Sequence, residues 1–162
     1  MSVSSAGKTF SVTGWKIGWL TAPETLRSAV QTAKQFLTYV NGAPFQYAIA
    51  DALALPDRYF AELRLDLMRK RDLLTTGLKS LGLNVFPTAG SYFLNTDVSI
   101  FDGVDSLTFC RDLPGLCGVV AIPTSVFFDT KELGSSLVRW AFCKQESVLS
   151  DAITRLQRLV EP

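Results

Sequence analysis

The stretch Ser4-Ser5-Ala6-Gly7-Lys8-Thr9-Phe10-Ser11-Val12-Thr13-Gly14-Trp15-Lys16-Ile17-Gly18-Trp19 lies at the head of the chain and carries most of its chemistry. Two readings of Ser5 to Thr9 fail on the residues themselves. A phosphate-binding P-loop needs Gly five residues ahead of its Gly-Lys-Thr, but position 2 is Ser, and the loop must follow a strand, for which only Met1 remains. Ser5-x-x-Lys8 also matches the nucleophile pattern of the penicillin-binding proteins. Neither Ser-Asp-Asn nor Lys-Thr-Gly follows it, and so short a pattern recurs by chance. What stands is a lysine among small residues, with no strand expected before it, and a second lysine, Lys16, in a run from Trp15 to Leu20 that reads as a strand flanked by loop.

Composition narrows the chemistry around that lysine. The 162 residues predict one domain, with enough chain to bury a core without disulfide or metal staples. Lys plus Arg number 16 against 15 Asp plus Glu, and signs are scattered, so there is no basic face for nucleic-acid phosphates. The absence of any His removes the usual general base, the Ser-His and Cys-His nucleophile pairs, and most zinc and haem sites. Chemistry must come from Lys, Arg, Tyr or carboxylates. Cys110, Cys117 and Cys143 are odd in number and lack C-x-x-C spacing, which predicts reduced thiols and a cytoplasmic setting, each thiol serving as a small buried apolar group. No signal-peptide pattern follows Met1 and no apolar run reaches about 18 residues, so neither export nor a membrane span is expected. A mean hydropathy of +0.22 is apolar for so small a chain. Some apolar surface is therefore expected to face a partner or a missing segment.

Hydrophobic spacing then sets out the elements. Leu26, Ala29, Val30, Ala33, Phe36, Leu37 and Val40 recur at helical intervals behind Pro23 and Glu24, predicting a helix over 23–40 that stops at Asn41-Gly42-Ala43-Pro44. A second helix is expected over 45–55. Asp57 caps a long amphipathic helix over 57–81, with Phe60, Leu63, Leu67, Leu73, Leu74, Leu78 and Leu81 as its stripe and Arg69, Lys70 and Arg71 on a solvated face. Gly82 ends it. Val85-Phe86 and Ser91 to Thr96 read as a hairpin pair, Asp105 to Leu113 as a short helix, and Val119–Ile122 and Leu137–Cys143 as strands. A closing helix over Glu146–Val160 presents Val148, Leu149, Ala152, Ile153, Leu156 and Leu159. Helices thus precede an α+β unit, and the change falls inside the long helix.

The stretch from Ser4 to Trp19 resembles the cofactor-lysine segment of the fold-type I, pyridoxal-phosphate-dependent class I/II aminotransferases. That resemblance implies that Lys8 forms the internal Schiff base with pyridoxal 5'-phosphate and acts as general acid/base, and that Ser5 and Lys16 bind the cofactor phosphate. An amine in a desolvated pocket suits the first role, and a hydroxyl with an ammonium suits a dianion. Leu37-Thr38-Tyr39-Val40-Asn41-Gly42-Ala43-Pro44-Phe45-Gln46 is similar to the segment that lines the active-site mouth near the dimer interface in the kynurenine and glutamine transaminase branch. Gly90-Ser91-Tyr92-Phe93 and Ile122-Pro123-Thr124-Ser125-Val126-Phe127 resemble small-domain turns of that branch. Leu137-Val138-Arg139-Trp140-Ala141-Phe142-Cys143-Lys144 resembles its late strand, which implies that Arg139 binds the substrate α-carboxylate through a planar fork. The similarity extends over nearly all of the chain, and its wording is nearest the actinobacterial N-succinyldiaminopimelate branch.

The resemblance implies an α/β fold, the C-terminal part of the transferase fold, with a large-domain remnant at 1–56, a connecting helix at 57–81 and a small α+β domain at 82–162. It implies amino-acid and 2-oxo-acid substrates, a role in lysine biosynthesis, and a homodimer or association with a missing N-terminal part. Complete members are much longer. Their N-terminal part carries the aromatic that stacks on the pyridine ring, the Asn and Tyr at its 3-oxygen and the Asp at its ring nitrogen, so the expectation is a C-terminal piece or a truncated product, weakly active or inactive alone. A non-catalytic assembly module derived from the small domain, or another reaction such as β-elimination sharing Lys8 and Arg139, are the alternatives. Tyr39, Tyr92 and Phe127 read as core aromatics sooner than as ligand contacts.

Overall fold

Ser2–Ser5 forms a strand, β1, that pairs antiparallel with β2 (Gly18–Thr21), Ser5 standing opposite Gly18. A strand therefore does precede Lys8, and the second strand starts later than the expected Trp15. Every residue of β1 is exposed, so neither burial alternation nor β-branched enrichment marks it in the sequence. Gly18 is what lets the ribbon close: a Cβ there would come within 2.8 Å of the Ser4 carbonyl oxygen. The computed structural model describes residues 1–101 and 103–160 and divides into two compact units, Met1–Tyr59 and Phe60–Pro162. Residues 161–162 of the expected small domain lie outside the described residues.

In the first unit a single turn, α1 (Ala6–Thr9), follows β1, and a 3-10 turn at Thr13–Trp15 leads back to β2. Helix α2 runs Glu24–Leu37 and α3 runs Ala43–Leu53. The connection falls earlier than the sequence suggests, at 38–42 instead of 41–44, because α2 stops at Leu37 and Pro44 sits in the first turn of α3, where its missing N–H costs nothing. The buried apolar side chains of this unit are Ala6, Ile17 and Ile49, with Phe10, Val12 and Trp15 packed against them. The apolar stripe expected of α2 is present but covers nothing. No residue of α2 is buried, and Phe36 and Leu37 are 83% and 81% exposed. The apolar excess in the composition is concentrated here.

Helix α4 (Asp57–Ser80) starts in the last residues of the first unit and runs into the second. The Leu78 carbonyl accepts the N–H groups of Leu81 and Leu83 at 3.3 and 3.2 Å around Gly82, whose φ of +82° is the left-handed stop that glycine tolerates. Four antiparallel strands follow: β3 (Asn84–Val85), β4 (Phe93–Asp97), β5 (Ile122–Pro123) and β6 (Leu137–Ala141), in the spatial order β3-β4-β6-β5. Strict alternation in β4 and β6 gives the sheet two faces. Leu94, Thr96, Val138 and Trp140 are buried, and share one core with Leu74, Leu78 and Leu81 of α4, Phe109, Leu113 and Cys117 of α5 (Ser106–Cys117), and Leu149 and Leu156 of α6 (Glu146–Leu156). Phe93, Asn95, Asp97, Leu137, Arg139 and Ala141 form the other, half-buried face.

Three elements depart from expectation in this unit. Helix α5 continues through Pro114 instead of ending at Leu113, because Ser106, Phe109, Leu113 and Cys117 extend one buried stripe and the gain from Cys117 outweighs one lost backbone bond. Gly118, at φ +69°, stops it. The strand expected over Val119–Ile122 shrinks to Ile122–Pro123, since only those two residues pair with β6. The closing helix ends at Leu156 and tightens into a 3-10 turn at Gln157–Leu159. Its expected core residue Val148 is exposed.

Candidate active site

Lys8 sits on α1, whose start is capped by Ser5 in extended conformation, with the Ser5 hydroxyl oxygen accepting the Gly7 N–H at 3.4 Å. Ala6 and Gly7 face inward and are buried, which turns Lys8 out into the open. The turn is held at several points. Thr13 Oγ1 donates to the Gly7 carbonyl at 3.2 Å, the Val12 N–H donates to the same oxygen at 2.8 Å, and the Tyr59 hydroxyl donates to the Thr9 carbonyl at 3.0 Å. Phe10 stacks on the Tyr59 ring with centroids 5.9 Å apart. Gly7 has no room to grow, since a Cβ would stand 3.1 Å from Thr13 Cα.

Lys16 closes the same end of the ribbon. The Ala6 N–H donates to the Ile17 carbonyl at 3.0 Å, so Ser5, Lys8 and Lys16 are carried by adjoining backbone. Lys16 is exposed and left-handed at φ +55°, and its carbonyl accepts from Asn41 Nδ2 at 2.9 Å. Trp15 stacks on Phe45 at 4.8 Å. The segment from Asn41 to Phe45 thus fixes the loop that presents Lys16. Sequence reasoning had placed that segment only at a site mouth. Its capping contacts join residues 25 positions apart and leave no periodic signal.

Among the described residues no ion pair engages the ammonium of Lys8 or of Lys16. A hydroxyl with its proton still to give, two unpaired ammonium groups and no facing carboxylate make a donor set for a dianionic phosphate and a carbonyl carbon. The chemistry of these donors is compatible with pyridoxal phosphate, which the resemblance places on Ser5, Lys8 and Lys16.

Arg139 belongs to the second unit. It lies on the half-buried face of β6, opposite Asn95 of β4 on one side and Ile122 of β5 on the other. Its guanidinium carbon stands 5.1 Å from the Phe93 ring centroid and 4.3 Å from that of Phe127. Its Nε is buried without a hydrogen-bond partner, and Asn95 Oδ1 and Thr124 Oγ1 are the other such side-chain atoms among the described residues. An unpaired guanidinium nitrogen out of water is costly, and it marks a place where an anion is wanted. Phe127 accordingly touches a site residue and is 57% exposed, rather than serving as core. Phe93, which the same alternation puts on the half-buried face with Arg139, is not singled out as a ligand contact by the sequence. Tyr39 is exposed and left-handed, whereas Tyr92 packs against the core.

The remaining candidates sort by burial. Cys117 is buried, Cys110 is half-buried and Cys143 is exposed, so the expectation of a buried apolar role fails for Cys143. Its position just past the last residue of β6 is beyond the core alternation. Arg69 lies on the solvated face as expected. Lys70 and Arg71 are held closer, Lys70 by Asp66 at 2.6 Å and Arg71 by donating to the Thr88 carbonyl at 3.2 Å. Among the described residues no group of His, Cys, Asp or Glu could hold a metal ion, and no helix is long and apolar enough to cross a membrane.

A family model described as aminotransferase class I and II matches residues 1–156. A probable N-succinyldiaminopimelate aminotransferase of Mycobacterium tuberculosis is 44% identical over 99% of this chain, which spans 43% of that relative's length. A methionine aminotransferase of Escherichia coli is 37% identical over 98% of this chain and 41% of its own length. The solved structure of N-succinyldiaminopimelate aminotransferase from Mycobacterium tuberculosis superposes with a TM-score of 0.90 at 46% identity, over 97% of this chain and 41% of that one.

Proposed function

The chain belongs to the class I and II aminotransferase family, and from that membership we propose that it is part of an enzyme moving an amino group between an amino acid and a 2-oxo acid with pyridoxal 5'-phosphate. The cofactor, when bound, supplies an aldehyde that carries the amino group and a ring that draws electrons from the substrate Cα–H bond. Lys8 holds it through its amine. With that amine free, Lys8 would act as the base that takes the proton from the substrate Cα and as the acid that gives it back. Ser5 and Lys16 grip the phosphate, the hydroxyl by its free proton and the ammonium by charge. Arg139 holds the substrate α-carboxylate by two parallel hydrogen bonds, which fixes which bond at Cα is broken.

The observation that carries this reading is an exposed lysine amine without an ion-pair partner on a short turn pinned through Gly7 and Thr9. A nucleophile needs such a mounting, because a misplaced amine loses the gain from orientation. On this reading Met1–Tyr59 belongs to the cofactor-binding domain and Phe60 onward to the small domain. The bare face of α2 is where this chain meets a second copy or the remaining length of an aminotransferase. The resemblance places the groups at the ring nitrogen, ring face and 3-oxygen in the part of the relatives that this chain does not span, so the chain alone is expected to transaminate weakly or not at all. The wording of its relatives favours this reading over a non-catalytic assembly module.

Borohydride trapping tests the role of Lys8 without requiring turnover. The 162-residue protein is incubated with pyridoxal phosphate, reduced, digested and mapped by mass spectrometry. The pyridoxyl label is expected on Lys8 well ahead of Lys16, Lys34, Lys70, Lys79, Lys131 and Lys144. An even spread over these lysines would remove Lys8 from its role.

A further inference from the structure

The chain that follows α5 leaves a gap in the second unit. Gly118, at φ +69°, turns it out of the helix, and of the next five residues only Ile122 and Pro123 pair with β6. Val119, Val120, Trp140, Val148, Leu149 and Ala152 line a cavity of about 280 Å³ there. Ala152 contributes no more than a methyl group, which leaves the volume unfilled. The inner wall is apolar. Trp140 and Leu149 are buried, and the Trp140 Nε1–H is already given to Thr96 Oγ1 at 2.8 Å, whereas Val120 and Val148 are exposed at the rim.

The charged residues of the cavity are Lys144, Asp151 and Arg155, and they do not cancel. Asp151 Oδ2 accepts from Arg155 Nε at 2.8 Å, which engages that carboxylate. Bare Gly118 lets the same guanidinium lie close, since a Cβ there would stand 3.1 Å from Arg155 Nη1. Among the described residues no ion pair takes the Lys144 ammonium. An apolar hollow with an unpaired ammonium at its edge suits an anion with a compact hydrocarbon body. It disfavours a zwitterionic amino acid, whose own ammonium would face Lys144 and Arg155. The cavity is also distinct from the Arg139 face, because Arg139 and Trp140 are neighbours in β6 and stand on opposite faces of the sheet.

We propose that this cavity binds an apolar monocarboxylate without an amino group, its body against Trp140 and Leu149 and its carboxylate at Lys144. The inference does not depend on the roles given to Lys8 and Arg139. Burial of the body supplies most of the affinity, because Lys144 is exposed and water screens its charge. The charge decides which apolar bodies are held. Because every lining residue lies in the second unit, binding occurs in the 162-residue chain with or without cofactor.

The experiment is calorimetric titration of the whole chain with 3-phenylpropionate, and with 3-phenylpropanamide as its uncharged match. The acid is expected to bind one to one and about fivefold more tightly than the amide, and Lys144→Gln to remove that difference. Ala152→Leu, which fills the cavity, weakens the acid at least about tenfold. Exposed Val120 gives a second variant, Val120→Gln, which polarises the rim should leucine disturb folding. Arg139→Lys leaves the affinity within about twofold of wild type. The proposal is overturned by any of three results: no saturable binding up to about 10 mM, acid and amide within about twofold of each other, or folded cavity variants within about twofold of wild type. Loss of binding in Arg139→Lys beside unaffected cavity variants would put the probe on the Arg139 face, and sinks the cavity while leaving the reading of Arg139 standing.

Discussion

Cys110 and Arg139 are both groups with a charge to carry and little water around them, and they meet that condition in opposite ways. Burial pushes the Cys110 thiol up to about 11, so the folded chain keeps it neutral. Arg139 lies against two rings instead. The Cys110 shift means roughly a hundredfold less thiolate near pH 8 than an ordinary cysteine offers. Maleimide at that pH is therefore expected to modify exposed Cys143 first, Cys110 at least about tenfold more slowly, and buried Cys117 only on unfolding, as read by timed mass spectrometry. Equal rates for Cys110 and Cys143 would contradict the burial of Cys110. The same shift has a stability consequence of definite sign. The unfolded thiol ionises near its usual 9.0 and the folded one near 11, so its contribution is complete below the first value and is lost as pH rises toward the second. Denaturation midpoints taken at pH 8 and 10.5 should fall further for wild type than for Cys110→Ala.

Elements show where the chain could be read in advance. Asp105 is recognisable as a helix start from the sequence, and it accepts the N–H groups of Leu107 and Thr108 at 2.9 and 3.1 Å. The Thr108 hydroxyl and these amides hold its carboxyl below the usual range. Being depressed, it contributes above the unfolded value of 3.8 and loses that contribution as pH falls below it, so thermal unfolding at pH 3 should separate wild type from Asp105→Ala less than at pH 6. The α4 stripe was legible for the same reason: local residue order decides it. β1 and the contacts of Asn41 were not, because partners distant in sequence decide them. The α2 stripe was legible as a helix and misleading as a core, since spacing reports which face is apolar and is silent on what covers it. Gly77 could not have been read at all. A Cβ there would fall inside contact distance of the Ile153 side chain, so α4 and α6 approach each other only because position 77 is bare. Ile153 is β-branched and cannot swing clear. Gly77→Ala is expected to cost about 1–3 kcal/mol in urea unfolding despite its better helix propensity, and pairing it with Ile153→Ala should recover part of that loss. A stabilised Gly77→Ala single variant would mean that the helices are free to separate.

At the scale of the whole chain, the two units differ in what holds them. Phe60 onward shares one core drawn from three helices and the inner sheet face, sealed by the buried bond from Trp140 Nε1 to Thr96 Oγ1 at 2.8 Å. Met1–Tyr59 rests on Ala6, Ile17 and Ile49 and a set of hydrogen bonds at the surface, with α2 buried nowhere. Local opening free energy follows buried apolar contact, so α2 opens far more often than α4 or α6. Trypsin reports this directly, because both units carry its targets. Cleavage is expected first after Arg27 and Lys34 of α2, while a product containing Lys79 and Arg155 survives much longer. The surviving product should keep the near-ultraviolet circular dichroism of Trp140, which is buried, and lose that of Trp15 and Trp19. Cleavage at Lys79 as fast as at Lys34 would show that the chain opens as one body. A partner that covers α2 slows the first cuts without altering the later ones, so the same digestion, repeated with a candidate partner present, distinguishes docking on the bare face of α2 from binding elsewhere.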